Sequence, residues 1–249
     1  MIPTFTCLIP AHNEAPRISG VLAAVQGHPL IQSVLVVDDG SQDGTADIAA
    51  AAGATVLRLC PNRGKSAALA VALGRVSTSH VVLIDADLIG LTADDLSGLI
   101  APVAGGRADV SLSLRGNAPV LWRWLGVDYI TGERVLPMSL VAPAMSDIED
   151  LPRFGLEVFL NTRLQQARSS VAIVHWPAVS SPSKAHKSGF WAGVRADIGM
   201  MRDILNTVSV GTTLAQIAFL RAASKRNCRP SPRNRFVIGI KRRFRPDDA

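Results

Sequence analysis

Cysteine is scarce in this chain of 249 residues. There are three, Cys7, Cys60 and Cys228, an odd number with no Cys-x-x-Cys spacing. That argues against a disulfide framework and against a structural zinc site, and it agrees with a reducing, cytoplasmic setting. Long apolar runs are also missing. No stretch reaches the roughly 18 uninterrupted apolar residues of a membrane span. The nearest, Ile204–Leu220, is broken by Asn206, Thr207, Ser209, Thr212, Thr213 and Gln216, and reads as a buried or surface-lying helix. Met1–Thr4 lacks the basic-then-apolar pattern of a signal peptide. Aromatic residues make up only 5%, so the core should be mostly Leu, Val, Ala and Ile. No internal repeat is visible.

What is present begins with charge. The net balance is +6, but it is unevenly placed. Residues 1–150 carry 9 Lys/Arg against 15 Asp/Glu, whereas residues 151–249 carry 17 against 5. An acidic front can hold a metal ion, and a basic back can meet phosphates on a soluble acceptor or on a membrane surface.

Short apolar runs at Thr4–Ile9, Gln32–Val37, Ala54–Leu59 and His80–Ile84 alternate with helical stretches at Ala15–Gln26, Gly44–Ala52 and Lys65–Val76. That alternation predicts βαβ units and a parallel sheet covered on both faces. A helix over Thr92–Val103 and a strand over Asp109–Leu114 follow. Beyond these, helices are expected near Pro119–Gly126, Phe154–Arg168, Gly189–Leu205 and Thr212–Ser224, and a strand at Val171–Trp176. The 249 residues suffice for one large α/β domain over 1–224, with a donor-binding half at 1–103 and an acceptor-binding half at 104–224. Residues 225–249 form a basic tail.

Ligands of open α/β sheets bind beyond the carboxyl ends of the strands, and polar residues collect there. The first strand leads into Pro10-Ala11-His12-Asn13-Glu14, the second into Asp38-Asp39-Gly40-Ser41, the third into Asn62-Arg63-Gly64-Lys65, and the fourth into Asp85-Ala86-Asp87. Two carboxylates one residue apart after a buried strand repel each other unless a cation offsets them, which suits Mg²⁺ or Mn²⁺. The structural alternative is that one of them caps the next helix. Of Asp38 and Asp39, one can serve the turn and the other can accept from a nucleobase N–H, while Asp43 is placed to cap the following helix. Gly64-Lys65-Ser66 is not a P-loop, because position 59 is Leu and the loop follows the third strand. What remains there is a helix N-terminus with two cations, which suits a diphosphate.

These segments, in this order and spacing, resemble the GT-A-fold glycosyltransferases and most closely their family 2. That class includes polyprenyl-phosphate sugar transferases and, more distantly, glucosyl-3-phosphoglycerate synthases. The resemblance is specific over residues 4–100. It implies a nucleoside-diphosphate sugar as donor, with Pro10, Ala11 and Glu14 lining the nucleoside pocket. Asp39, beside Asp38, would meet the base, and Lys65 would lie near the base or diphosphate. Asp85 would stand by the ribose and the metal with a part in catalysis, and Asp87 would bind the Mg²⁺ or Mn²⁺ directly.

Later the resemblance is fragmentary. Thr131-Gly132-Glu133-Arg134 is similar to an acceptor-side segment, which implies acceptor roles for Gly132 and Arg134. Phe154-Gly155-Leu156-Glu157 is similar to the opening of the acceptor-side helix, which makes Glu157 the matching general base, with Glu149 and Asp150 as rivals. Lys184 and Lys187 resemble a downstream Lys-containing segment. Ser181 stands at the position where some relatives carry a metal-binding His, with His175 and His186 displaced from it.

Other functions remain to be weighed. Sugar nucleotidyl transfer expects glycines in the first loop, and Pro10–Glu14 has none. An inactive nucleotide-binding scaffold would not need the intact carboxylates. Nucleic-acid binding finds only charge in its favour. The expected partners are therefore the nucleotide-sugar, an acceptor that is lipid-linked or phosphate-bearing, and an anionic membrane surface met through the tail, with Phe219, Phe236 and Phe244 as inserting groups. This corresponds to a cytoplasmic protein, peripheral at the inner membrane face.

Overall fold

The computed structural model describes residues 2–149, 151, 155–182 and 209–226. The strands are β1 (Phe5–Ala11), β2 (Ser33–Asp39), β3 (Thr55–Leu59), β4 (His80–Leu83), β5 (Val110–Arg115), β6 (Arg134–Pro137) and β7 (Val171–Trp176). They form one sheet in the order β3-β2-β1-β4-β6-β5-β7. All pairings are parallel except those of β6, which runs antiparallel to both β4 and β5. The α/β class and the mostly parallel sheet are as expected. The sheet is continuous across the two halves, because β6 from the second half pairs with β4 from the first.

The helices are α1 (Ile18–Val25), α2 (Thr45–Ala51), α3 (Lys65–Leu73), α4 (Ala93–Ala104), α5 (Val120–Leu125), α6 (Met138–Val141), α7 (Met145–Glu149), α8 (Gly155–Gln166) and α9 (Val210–Arg226), with a 3₁₀ turn at Ala142–Ala144. Successive strand residues point to opposite faces, and this splits the core in two. Leu8, Leu35, Val37, Val81, Leu83 and Leu112 pack against α3, α8 and α9. Cys7, Ile9, Val34, Val36 and Val82 pack against α1 and α4. Burial pushes the Cys7 thiol well up, which leaves it an inert core group.

Most expected elements appear within a few residues of their predicted ends. The start of α4 is sharply set: Thr92 Oγ1 accepts from Asp95 N while Asp95 accepts from Thr92 N, a capping box. Two features were not anticipated. The four-residue β6 carries a buried Arg and ends in Pro, so it shows no apolar signature. Residues 138–149 fold as two short helices joined by the 3₁₀ turn. The helix expected at Gly189–Leu205 and residues 227–249 of the tail expected at 225–249, with Phe236 and Phe244, lie outside the described residues, as do Asp150 and His186, whereas 225–226 end α9. No described helix is long and apolar enough to cross a membrane.

Candidate active site

The four strand-end loops meet on one edge of the sheet, as the strand pattern requires. They enclose a cavity of about 240 Å³ lined by Pro10, Ala11, His12 and Glu14, by Asp39, by Lys65 and Ala68, and by Asp85, Ala86 and Asp87. Asp38 is not among the lining residues. It is 4% exposed, and its Oδ1 accepts from Ser41 N at 3.3 Å, a turn-forming role instead of the expected binding one.

Side chains lace the loops together. Asp39 Oδ1 accepts from Arg63 N and Oδ2 from Gly64 N, both at 2.8 Å, so this carboxylate shapes the third loop while it lines the cavity. His12 Nδ1 stands 2.8 Å from the Asp39 carbonyl, which also accepts from Asn62 Nδ2 at 2.9 Å. Asp43 Oδ2 accepts from Ala15 N and its Oδ1 from Thr45 N. It thus supports the start of α2 from one residue before the N-cap, Gly44, and ties that helix to the first loop. Gly40 is obligatory here. Its φ is +73°, and a Cβ would stand 3.0 Å from Asn62 N.

Lys65, the first residue of α3, is the electrostatic centre. Its Nζ is 2.9 Å from Asp85 Oδ1 and 3.5 Å from Glu157 Oε1. Burial opposes the Lys65 charge, but Asp85 and Glu157 outweigh it and raise its pKa. Burial likewise opposes Asp85's charge, and Lys65, with Arg115 and Arg134 behind it, holds this carboxyl below its ordinary value. Asp87 differs: burial first, then the charges of Asp85 and Glu14, push it up to about 6. Neither Asp85 nor Asp87 caps a helix, since Thr92 caps α4. This structure therefore offers no capping role for the pair.

The residues fit a divalent cation. Asp87 sits among carboxylates that Arg115 offsets only in part, a surplus of negative charge that an ion would relieve. Among the described residues no three His, Cys, Asp or Glu side chains form a ready-made cage. An ion there would therefore take further ligands from phosphate oxygens and water, as Mg²⁺ does.

On the second half, Gly132 packs directly on the Asp85 carboxylate. Glu157, 7% exposed near the start of α8, reaches the same lysine as Asp85. Glu149, one of its rivals, is ion-paired to Arg63 instead. Arg134 corrects an expectation. It is fully buried, with Nε donating to Thr131 O and Nη1 to Asn161 Oδ1. A guanidinium held inside in this way braces the Thr131–Gly132 turn and has no surface to offer an acceptor. Lys184 and Lys187 lie outside the described residues.

A group missed from the sequence lies behind Asp85 and Asp87. Arg115, at the end of β5, stands 3.5 Å from both Asp128 Oδ2 and Glu133 Oε1, and its Nη1 donates to Ser181 Oγ at 2.8 Å. Glu133 Oε2 accepts from Ser113 and Thr131 hydroxyls at 2.7 and 2.6 Å. Ser181, the position aligned with a metal-binding His in some relatives, is thus engaged by an arginine, and His175 lies exposed in β7. The rule that polar residues end the strands, carried on to the fifth strand, points to Arg115.

Residues 6–130, half of the chain, match the model of the family described as Glycosyl transferase family 2. The chain belongs to glycosyl transferase family 2. The matched span stops just short of Thr131, so the residues expected on the acceptor side lie beyond it.

A 4,4'-diaponeurosporenoate glycosyltransferase of Staphylococcus aureus (strain bovine RF122 / ET3-1) is 33% identical over 102 residues, 39% of this chain and 27% of that protein. Its counterpart in strain MRSA252 is 34% identical over 100 residues, 38% of this chain and again 27% of the relative. The match thus spans about a quarter of these relatives' length. Among solved structures, glucosyl-3-phosphoglycerate synthase of Mycobacterium tuberculosis with phosphoglyceric acid superposes with a TM-score of 0.64 at 22% identity, covering 87% of this family 2 chain and 80% of that one. The same enzyme with Mg²⁺ and UDP gives a TM-score of 0.65 at 22% identity and the same coverage. With Mn²⁺, UDP and glucosyl-3-phosphoglycerate it gives 0.62 at 21%, covering 90% and 80%. At such identities the likeness shows the fold, which is GT-A.

Proposed function

We propose that this family 2 protein transfers a sugar from a nucleoside-diphosphate donor to an acceptor that is phosphate-bearing or lipid-linked. The observation that carries the reading is the cavity at the carboxyl edge of the sheet, where four loops bring Glu14, Asp39, Lys65, Asp85 and Asp87 around one space. Its support is the donor and metal seen in the structural neighbours, which hold UDP with Mg²⁺ or Mn²⁺. Phosphoglyceric acid in those neighbours and diaponeurosporenoate in the name of the curated relatives bracket the acceptor class.

In this reading Pro10, Ala11 and Glu14 face the nucleoside. Asp39 keeps the third loop in place and turns its remaining acceptor capacity toward the base. Asp87, with Asp85, would hold Mg²⁺ or Mn²⁺, which when bound would offset negative charge on the departing diphosphate. The sugar's bond to the diphosphate oxygen breaks and that oxygen keeps the electron pair, while the acceptor oxygen bonds the anomeric carbon. Glu157 accepts the proton of a hydroxyl acceptor. Lys65 keeps Asp85 ionised and ties Glu157, which lies outside the cavity's lining, to the same cation. A phosphate acceptor is already anionic and needs no such base.

Calorimetric titration with UDP and with GDP, each with and without Mn²⁺, tests the donor site. Binding of one nucleotide that depends on the metal and is lost in Asp87→Ala is the expected result. If neither these nor other nucleoside diphosphates bind, the catalytic reading gives way to that of an inactive scaffold.

A further inference from the structure

The face formed by α5 and α9 is apolar, exposed and cationic at once. Trp124 is 78% exposed, Val120 68%, Leu214 61% and Val210 57%. Between the helices runs a groove of about 440 Å³ lined by Leu121, Leu125, Leu214, Ile217 and Arg221, among others. The pattern follows from helical spacing. In α9 a buried stripe at Thr213, Gln216, Leu220 and Ala223 turns inward, which leaves Val210, Leu214 and Ala218 outward on a neighbouring stripe. Neither helix contains an acidic residue, whereas α5 carries Arg123 and α9 carries Arg221 and Lys225.

Large apolar side chains left outside normally mark a contact surface. The company they keep identifies the contact. Tryptophan and aliphatic groups interleaved with cations, with no carboxylate on either helix, match the boundary of an anionic bilayer, where indole rings sit at headgroup depth and Lys or Arg meets lipid phosphate. We infer that the α5–α9 face docks on an anionic lipid bilayer. Contact is through this surface, and no described helix is long and apolar enough to cross a bilayer. The surface belongs to the acceptor half. Gln216 of α9 accepts from Tyr129 Oη at 2.6 Å and donates to Thr162 of α8 at 2.8 Å, and α8 is the helix that carries Glu157.

The test needs neither donor nor acceptor, so its failure is distinct from failure of the proposed transfer. The full chain is sedimented with vesicles of phosphatidylcholine alone and of phosphatidylcholine with phosphatidylglycerol. Co-sedimentation with the anionic vesicles alone is expected. Partitioning should fall at least tenfold in Trp124→Ser/Leu214→Ser, checked for unchanged circular dichroism and unfolding midpoint. A second variant, Arg123→Gln/Arg221→Gln, keeps the apolar groups. It should lose about fivefold per charge. A wild-type chain that stays in the supernatant overturns the proposal. So does equal sedimentation of the variants, which would assign the contact to the basic tail. A wild-type dimer, seen by light scattering, that the Ser variant splits would make the face an interface between two copies and overturn it equally.

Discussion

Gly132 lies directly on the Asp85 carboxylate: a Cβ added at this glycine would stand 2.6 Å from Oδ2, 2.7 Å from Oδ1 and 2.9 Å from Cγ. The turn before β6 thus approaches the end of β4 as closely as a backbone can, and only a residue without a side chain permits it. Asp85 cannot retreat freely, because Lys65 holds its Oδ1 at 2.9 Å. Gly132→Ala should therefore fold, with stability lowered by about 1–3 kcal/mol for the overpacking, while Asp85 rotates away from Lys65. Nucleotide binding in the presence of Mn²⁺ should weaken at least tenfold by calorimetry. Affinity within twofold of the parent would show that Asp85 can move without consequence for the donor site.

Glu157 and Asp85 share one lysine, and this separates two acceptor chemistries. If the acceptor is a hydroxyl, Glu157→Gln keeps the shape and removes the base. Turnover should then drop by about 10²–10⁴-fold with donor affinity little changed. If the acceptor is a phosphate, the same variant should retain turnover within about tenfold. An equal loss of donor binding and of turnover would mean that Glu157 acts only by holding Lys65.

The first half was legible because its signals are local and repeated. Each of β1, β2 and β4 is a run of apolar residues ended by carboxylates or turn formers, and a parallel sheet places all such ends on one edge. Thus Asp39, Lys65, Asp85 and Asp87 could be brought together before any coordinates, and all four line the cavity. The second half is held by long-range polar contacts with no sequence period. Arg134 is expected on the acceptor side, yet it is buried because Thr131, Tyr129 and Asn161 surround its guanidinium with acceptors. Arg115, Asp128 and Glu133 come from β5, a loop and the turn before β6. Their meeting depends on β6 inserting antiparallel between β4 and β5, and four residues ending in Pro137 announce no such strand.

Gln216 is, with Thr213, one of two polar residues in the inward stripe of α9, and it is fully buried. Its amide bonds Tyr129 Oη and Thr162 Oγ1, joining α9 to α8 and to the loop before β6. Gln216→Leu would keep most of the volume while leaving both hydroxyls without this partner. Urea unfolding should show a loss of about 1–3 kcal/mol, and Tyr129→Phe combined with it should recover part of that. Strict additivity of the two substitutions would show that the hydrogen bond contributes nothing by itself.

Asp128 is 1% exposed, and burial pushes its carboxyl up to about 6, with Arg115 pulling it down and Glu133 pushing it further up. The sign of the consequence follows from linkage. Below about pH 4 the group is protonated in both the folded and the unfolded chain and contributes nothing. Between about pH 4 and 6 the folded chain keeps a proton that the unfolded chain has released, so stability falls as pH rises. Above about pH 6 the group is ionised in both states, and the full cost remains, on the order of 3 kcal/mol. Asp128→Asn carries no charge at any pH. It should match the parent near pH 4, gain on it through pH 6, and stay ahead by up to that amount at pH 7.5, as measured by urea unfolding across the range. Its hydrogen-bonding amide can still accept from Ile130 N, as Asp128 Oδ1 does at 3.3 Å. A variant less stable than the parent at pH 7.5 would show that the attraction to Arg115, 3.5 Å away, outweighs burial after all, making this a net stabilising ion pair.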